Sequence, residues 1–357
     1  MNIRASAAAA LSPAQWAAWS DLQQADPALD SPYFRPEFTQ AVAAVRDDVE
    51  VALLEEQGIP VGFLPFQRAR GDIGGPVGGA MCDFQGPITR RELAIDAEEL
   101  LRACGLAAWR FDHLLASLPA WTAYHRATAP SPYLDLAQGF DAYWAERRKT
   151  GTRKINKTLG LGRKLAAEVG PLRLVPHTDQ PEIFQTLLTW KTDQYRQTGV
   201  PNVLAAPWKQ QLLAHLAAQQ SPRFAGMLSA LYAGEELVAV HLGLRCGHVL
   251  HAWFPAYNPA LATYSPGSLL WVELARAAES QGIRRIDLGK GQEAYKLQFM
   301  SGATLLAEGA VDRRRWGRAW ESGCHRVRQW VRASPLRAPA RALSRRIAPW
   351  LYRLRES

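Results

Sequence analysis

The chain has 357 residues, of which 48% are hydrophobic and 21% charged, so it has enough apolar residues to bury a sizeable core. No apolar run reaches the roughly 18 residues of a membrane-spanning helix, and this argues against an integral membrane protein. The net charge of +9 is uneven, because thirteen arginines and two glutamates after residue 312 give that segment +11 and leave −2 for the rest.

The N-terminal residues lack the pattern of a signal peptide. Ser12 and Pro13 interrupt the alanine run before it forms an apolar core of about 7–15 residues. We therefore expect a mobile N-terminus that leads into a helix near Pro13–Gln23. The four cysteines have no metal-binding or redox spacing, which predicts reduced thiols in the cytoplasm and no metal site; they are Cys82, Cys104, Cys246 and Cys324.

Residues 1–132 mix helical and strand-like patterns and end at the boundary marked by Pro130 and Pro132. Six glycines in 71–87 predict a loop with close backbone approach. The other predicted elements, in order, are a helix over 36–45, strands over Val49–Leu54 and Ile59–Phe66, a helix over Arg91–Cys104 and a strand over Trp109–Leu115.

Residues 133–312 continue with strands that alternate with helices, a pattern typical of an α/β layer with a central mixed sheet. Asp179 is expected to cap the predicted helix over Pro181–Gln197. The predicted elements are a strand over Tyr133–Leu136, a charged helix within 140–169, a strand over Leu172–Pro176, helices over Pro181–Gln197 and Trp208–Gln219, and strands over Met227–Tyr232, Leu237–Leu244 and Val249–Phe254.

Residues 264–299 form the most informative segment. Pro266 and Gly267 open a predicted helix that Gly282 ends, and a short buried strand and a helix with Tyr295 and Lys296 follow. A helix N-terminus presents unpaired N–H groups and the positive end of the helix dipole, so this turn suits a phosphate. An ordinary helix start is the alternative, because Ser-Pro-Gly is common turn chemistry.

This segment resembles the GNAT acyltransferase superfamily, in the branch of FemAB-like and CelD cellulose-biosynthesis-type acetyltransferases. The matching residues are the series YSPG (264–267), DLGKG (287–291) and Tyr295-Lys296, with Tyr257, Pro259 and AVHLGLR (239–245). The resemblance covers roughly residues 30–310. It implies two tandem GNAT-like halves, namely a degenerate half over 1–132 and an acyltransferase domain over 133–312, followed by an Arg/Trp-rich tail over 313–357.

The resemblance also implies a donor site for acetyl-CoA and a direct attack of the acceptor on the thioester. The helix start and Lys290 would bind the pyrophosphate, Tyr295 would protonate the departing thiolate, and Lys296 would steady the oxyanion. The alternatives are a core tyrosine and solvated surface lysines. The residues expected to bind the cofactor are Tyr264, Ser265, Pro266, Gly267, Ser268 and Lys290.

A general base for the acceptor has three candidates. His241 lies in an otherwise apolar strand where the family pattern carries a histidine, and an unperturbed pKa of about 6.5 suits a base. The alternative is a buried histidine with a structural role. Asp287 and Glu293 are competing carboxylates, although Asp287 could hold the following turn and Glu293 could begin a helix.

Two basic segments predict further partners. Residues 147–164 could bind a phosphate-bearing acceptor, such as a lipid-linked sugar, or form a solvated helix face. The tail over 313–357 could lie on the inner face of the membrane or contact a synthase complex. Nucleic acid is disfavoured because no binding motif is present. The tail's tryptophans and valines fall near one helical face: Trp316, Trp320, Val327, Trp330 and Val331.

We therefore expect a cytoplasmic N-acyltransferase, most simply an acetyltransferase, that uses acyl-CoA and acts on a sugar or a cell-envelope or exopolysaccharide precursor. One alternative is a FemAB-like transferase that uses aminoacyl-tRNA. The other is a non-catalytic accessory factor of a membrane polysaccharide synthase, suggested by the basic tail.

Overall fold

The computed structural model describes residues 1–149 and 153–314, and in these ranges the strands join into one mixed sheet. The strands are β1 (Asn2–Ala7), β2 (Val49–Glu56), β3 (Ile59–Ala69), β4 (Ile73–Gly75), β5 (Ile88–Thr89), β6 (Ala108–Leu115), β7 (His125–Asp135), β8 (Leu172–Val175), β9 (Phe224–Ala233), β10 (Glu236–Cys246), β11 (Val249–Tyr257), β12 (Arg285–Asp287) and β13 (Gly302–Asp312). Their order is β1-β2-β3-β4-β6-β13-β7-β12-β11-β10-β9-β8, with β5 paired to β3.

The two halves of the chain exchange strands at the centre of this sheet. β7 closes the first half in sequence but pairs with β12, whereas β13 closes the second half and pairs with β6. β7 and β13 also pair with each other in antiparallel register. Each half therefore borrows a strand from the other. The predicted boundary after residue 132 falls inside β7 and stays a prediction.

Helices cover both faces of the sheet. They are α1 (Pro13–Ala25), α2 (Pro36–Ala43), α3 (Ala97–Ala103), α4 (Gly139–Lys149), α5 (Arg153–Glu168), α6 (Pro181–Thr198), α7 (Pro207–Ala218), α8 (Pro266–Ala277) and α9 (Ala294–Phe299). The largest core cluster joins α1 and α2 of the first half to α6 and α7 of the second, through side chains that include Trp19, Phe38, Leu187 and Leu213. The two halves therefore share one hydrophobic core, and burial of its apolar side chains stabilises both halves together.

A second cluster lies under α4, α5, α8 and α9, and a third packs α3 against the strands of the first half. Leu165, Leu269 and Phe299 belong to the second cluster and are almost fully buried. The mixed α/β architecture that the sequence predicted is confirmed, and its helices and strands in residues 172–257 agree with the prediction within about three residues at each end. α8 ends at Ala277, earlier than the predicted end at Gly282.

Several local predictions are wrong. The N-terminus is not a mobile lead, because Asn2–Ala7 pairs with β2 along its whole length. Asp179 does not cap α6, whose N-cap is Gln180 without a side-chain hydrogen bond. α3 begins at Ala97 rather than Arg91, because the Asp96 carboxylate accepts hydrogen bonds from the first N–H groups of the helix.

Two longer segments also differ from their predictions. The glycine-rich segment 71–87 is not all loop, because Ile73–Gly75 pairs with both β3 and β6. One helix was expected within 140–169, but the structure has two helices there, α4 and α5. Residues 150–152 between them lie outside the described ranges. Most of the predicted tail, residues 315–357, also lies outside the described residues. Among the helices of the described ranges, none is both long and apolar enough to cross a membrane.

Candidate active site

The parallel strands β11 and β12 separate to form a fork. Their pairing ends at His251 and Asp287, although β11 continues to Tyr257. After Asp287 the chain follows β7 instead, since the N–H groups of Leu288 and Gly291 donate to carbonyls of that strand. β11 also bulges at Trp253, which has no partner on β10. A widened gap beside a bulge is a common setting for a site.

The N-terminus of α8 lies just beyond the end of β11. Ser265 is the N-cap and takes the left-handed conformation, with φ of 55°, but its side chain makes no capping hydrogen bond. Pro266 is the first helical residue, and a Cβ on Gly267 would have only Tyr257 Cδ1 near it, at 3.8 Å. The N–H groups of Ser268 and Leu269 donate to the Ser265 carbonyl, and Pro266 has no N–H, so the first turn presents the Gly267 N–H and the positive end of the helix dipole next to open space.

The basic helix α5 packs beside this N-terminus. A Cβ on Gly162 would lie 2.8 Å from Leu269 Cδ2, so the glycine allows the two helices to approach closely. The Tyr264 hydroxyl donates to the Glu168 carboxylate, and the Lys164 ammonium lies 5.9 Å from the centre of the Tyr264 ring. Tyr264, predicted to bind the cofactor, thus joins α5 to the turn before α8.

Asp287 lies at the base of the fork and is almost fully buried. Its carboxylate forms an ion pair with Arg285, with 3.1 Å between Nε and Oδ1. Burial raises the pKa of Asp287, and the charges of Arg285 and His251 oppose that shift. The Asp287 carboxylate is thus paired with its neighbour on the same strand rather than with the following turn, and its role as a base stays a prediction.

Lys296 fastens the turn that follows β12. Its ammonium donates to the carbonyls of Gly289 and Lys290, at 3.2 and 2.9 Å, and lies 3.2 Å from a Glu293 carboxylate oxygen. The Lys290 ammonium in turn donates to the carbonyl of Asp112 in the first half. Lys296 is therefore not a solvated surface residue, whereas Lys290 is partly exposed, and the catalytic or cofactor-binding roles of both lysines stay predictions.

Tyr295 lies at the start of α9 and packs against the second core cluster. Burial, with the negative charges of Glu293 and Asp83, raises the pKa of its phenol well above the usual value. The phenol keeps its proton at neutral pH, but the raised pKa also makes it a weaker acid, so the proton-donating role of Tyr295 stays a prediction.

His241 is fully buried on β10, with its ring edge against Trp271 at 5.3 Å between centroids. Neither ring nitrogen has a hydrogen-bond partner, and burial, with the nearby His251, lowers its pKa to about 3. A ring that binds a proton this weakly and has no access to solvent is a poor general base at neutral pH. The role predicted for His241 stays a prediction, and its surroundings do not favour it.

The base of the fork also holds a carboxylate from the first half that sequence reasoning missed. Asp83, in the glycine-rich segment 71–87, accepts a 2.8 Å hydrogen bond from His251 Nε2. Burial alone would raise the pKa of Asp83, but this hydrogen bond and the charges of His251, His113 and Lys296 hold it below the usual value. A Cβ on Gly289 would lie 3.2 Å from Asp83 Oδ2, so that glycine leaves room for the carboxylate.

His113 approaches Asp83 from the other side. Its Nε2 lies 3.8 Å from Asp83 Oδ1, and its Nδ1 lies 2.8 Å from Asp112 Oδ1. β6 and β11 are four steps apart in the sheet, which is about 19 Å if the sheet were flat. Because one aspartate contacts residues of both strands, the sheet must curve around this point. No periodicity or motif in the sequence indicates this group.

A family model described as "Acetyltransferase (GNAT) domain" matches residues 153–297. Among solved structures, FemX is similar with a TM-score of 0.58 at 10% identity, over 86% of this chain and 97% of that chain. The C-terminal domain (DUF2156) of a protein described as a lysylphosphatidylglycerol synthetase from Agrobacterium fabrum gives 0.53 at 12%, over 86% and 94%. A tandem GNAT protein from the clavulanic acid biosynthesis pathway gives 0.50 at 11%, over 88% and 98%.

No curated protein sequence is significantly similar to the chain. At identities of 10–12%, the structural similarity shows the fold alone, and it covers both halves. The family model covers the fork, the start of α8 and the Tyr295-Lys296 pair. Residues 153–297 therefore match a GNAT-type acetyltransferase domain, the two halves together have a tandem GNAT-like fold, and both findings support a transferase enzyme.

Proposed function

We propose that this enzyme is an acyl-CoA-dependent N-acyltransferase that transfers an acyl group, most simply acetyl, to an amino group of a sugar or cell-envelope precursor. One observation carries the choice of donor: the N-terminus of α8 has no side-chain cap and opens at the fork between β11 and β12. A pyrophosphate oxygen can accept from the Gly267 N–H, which has no backbone acceptor, and the positive end of the helix dipole favours its charge.

The residues around the fork fit the chemistry of transfer from a thioester. The acceptor nitrogen bonds to the acyl carbon while the carbon–sulfur bond breaks, and the departing thiolate needs a proton. We assign this proton to Tyr295, whose protonated phenol lies in the first turn of α9 after the fork; burial and the charges of Glu293 and Asp83 raise its pKa, so the transfer depends on its position rather than on its acidity. The acceptor remains a proposal that rests on the resemblance to cell-envelope and polysaccharide enzymes.

The donor is tested by calorimetric titration of acetyl-CoA into the full-length protein and into two variants of Gly267. Gly267→Asp places a carboxylate at the first turn of α8, which favours the helix electrostatically but repels a pyrophosphate. We expect at least tenfold weaker binding, equivalent to about 1.4 kcal/mol. Gly267→Ala is the matched control, because a Cβ there meets only Tyr257 at 3.8 Å, and it should bind almost normally.

Saturable binding to the wild type that Gly267→Asp alone weakens supports the proposal. Equal binding by all three proteins would place the donor elsewhere, and no binding to the wild type would refute an acyl-CoA donor. Circular dichroism of the variants checks that the fold is retained.

A second donor, aminoacyl-tRNA, is favoured by one observation. The helix α5, which packs beside the start of α8 at Gly162, carries three exposed cations that a longer polyphosphate chain could use: Lys157, Arg163 and Lys164. Filter binding of charged tRNA between low and high salt tests this alternative. Tight, strongly salt-dependent binding together with no binding of acetyl-CoA would select it.

A further inference from the structure

Two residues of the first half complete the site that the second half forms. His113 lies near the end of β6, and Asp83 belongs to the glycine-rich segment, yet both lie at the base of the fork between β11 and β12. The Lys290 ammonium, from the turn after β12, donates to the carbonyl of Asp112 next to His113. The half of the chain expected to be degenerate therefore contributes titratable side chains to the site.

The ring of His113 is held in one orientation. Its Nδ1 lies 2.8 Å from Asp112 Oδ1, and the same carboxylate oxygen accepts a 2.7 Å hydrogen bond from Gln85 Nε2. The Gln85 side-chain oxygen accepts the backbone N–H groups of both Asp112 and His113, at 3.0 and 3.1 Å. A carboxylate fixes the proton of a neutral imidazole on the nitrogen that faces it. The lone pair is then on Nε2.

The free nitrogen of His113 faces the Asp83 carboxylate. Nε2 lies 3.8 Å from Asp83 Oδ1, which is too long for a direct hydrogen bond. An amine nitrogen placed beside this pair can lie within hydrogen-bond distance of both atoms. The His113 and Asp83 side chains are 18% and 24% exposed, so a substrate can reach them. The other oxygen of Asp83 is held by the fully buried His251.

We infer that His113 is the general base of the transfer and that Asp83 binds the amino group of the acceptor. This inference rests on the proposed N-acyltransferase function. The acceptor nitrogen forms its bond to the acyl carbon as its proton passes to His113 Nε2. The carbon–sulfur bond breaks, the thiolate takes a proton from Tyr295, and His113 and Tyr295 then exchange protons with solvent.

The three bases predicted from the sequence are less suited to this role. His241 is fully buried without a partner on either nitrogen. Asp287 is bound in its ion pair with Arg285, and Glu293 is paired with Lys296. His113 differs from all three, because it combines an orienting carboxylate, a free nitrogen and access to solvent.

The test measures release of the coenzyme A thiol from acetyl-CoA by the full-length protein, with water alone and with glucosamine as the acceptor. A general base contributes about 10²–10⁴-fold, so His113→Gln should slow thiol release at least a hundredfold in both reactions. His215→Gln is the matched control, because His215 is exposed on α7, and it should behave as the wild type.

Asp83→Asn separates binding of the amine from proton transfer. We expect it to raise the KM for glucosamine at least tenfold with a smaller change in kcat, whereas His113→Gln mainly lowers kcat; a KM equal to that of the wild type would overturn the role of Asp83.

Calorimetry of acetyl-CoA with His113→Gln separates this inference from the proposed function. Unchanged donor binding with thiol release reduced in both reactions supports the inference. The inference is overturned if the wild type and His113→Gln release thiol at the same rate, which includes the case in which neither is faster than buffer. Neither outcome affects the proposed donor site. Failure of the wild type to bind acetyl-CoA is the separate failure of the proposed function, and it removes this inference with it.

Discussion

The replacement Lys296→Met tests whether this lysine supports the fold at the active site. Lys296 is 6% exposed, and its ammonium donates to the carbonyls of Gly289 and Lys290 in the turn after β12. Methionine keeps the apolar stem but leaves both carbonyls without this donor. The nearby Glu293 side chain is 56% exposed, so solvent screens its ion pair with Lys296 and that pair contributes little.

The expected cost follows from these two hydrogen bonds. A hydrogen bond from a charged donor contributes about 1.5–3 kcal/mol, and the two bonds share one ammonium, so we expect a loss of about 3 kcal/mol in the free energy of unfolding. With a slope of about 3 kcal/mol per M, this loss lowers the urea midpoint by about 1 M. Urea titration followed by tryptophan fluorescence measures the change.

The matched control is Lys164→Met. The Lys164 side chain is 60% exposed and lies 3.8 Å from Glu168, so its loss should change the free energy of unfolding by less than about 0.5 kcal/mol. Equal urea midpoints for Lys296→Met and Lys164→Met would refute the reasoning, because they would show that Lys296 does not stabilise the turn after β12.

Three further predictions follow from burial and packing. Gly309→Ala should destabilise the protein by more than about 2 kcal/mol in thermal unfolding, because the new Cβ would lie 2.1 Å from the Tyr124 carbonyl oxygen. Gly75→Ala is the control and should be nearly neutral, because its Cβ would have no atom within 4 Å. Equal melting temperatures of the two variants would contradict this prediction. Tyr295→Phe should slow thiol release about a hundredfold while acetyl-CoA binding is retained, and unchanged turnover would rule out a proton-donating role. The folded-state pKa of His241 is lowered to about 3, so its contribution to stability is present above the unfolded value of about 6.5 and is lost as the pH falls below it. Between pH 7.5 and 5.5 the free energy of unfolding, measured by urea titration, should therefore fall by about 1.4 kcal/mol more in the wild type than in His241→Leu. An equal fall in the two proteins would show that His241 takes up its proton in the folded state as it does in the unfolded state.

The sequence by itself determined the parts of the fold that depend on neighbouring residues. The helix that opens at Pro266 and the strand that ends at Asp287 were predicted from turn residues and apolar spacing, and the structure has both. Signals of this kind act within a few residues of the chain, since capping, turn geometry and amphipathic periodicity are local effects. The resemblance to the GNAT superfamily likewise depends on motifs that lie close together in one segment, residues 264–296.

The strand pairing was decided only by the tertiary structure. β13 was not predicted, and it pairs with β6 nearly 200 residues earlier in the chain. β1 was predicted to be mobile, although it completes the sheet beside β2. A strand at a sheet edge or at the exchange between halves is stabilised by partners that its own sequence does not contain.

The candidate active site shows the same division. Gly267 and Tyr295 were found from the sequence because they belong to an ordered series of motifs in one segment. Asp83, His113 and His251 were missed, because 168 residues separate Asp83 from His251 and no spacing rule connects them. They meet only because the shared sheet curves and brings β6 and β11 to the same carboxylate. Contacts between distant residues follow from packing of the whole chain, which local patterns do not encode.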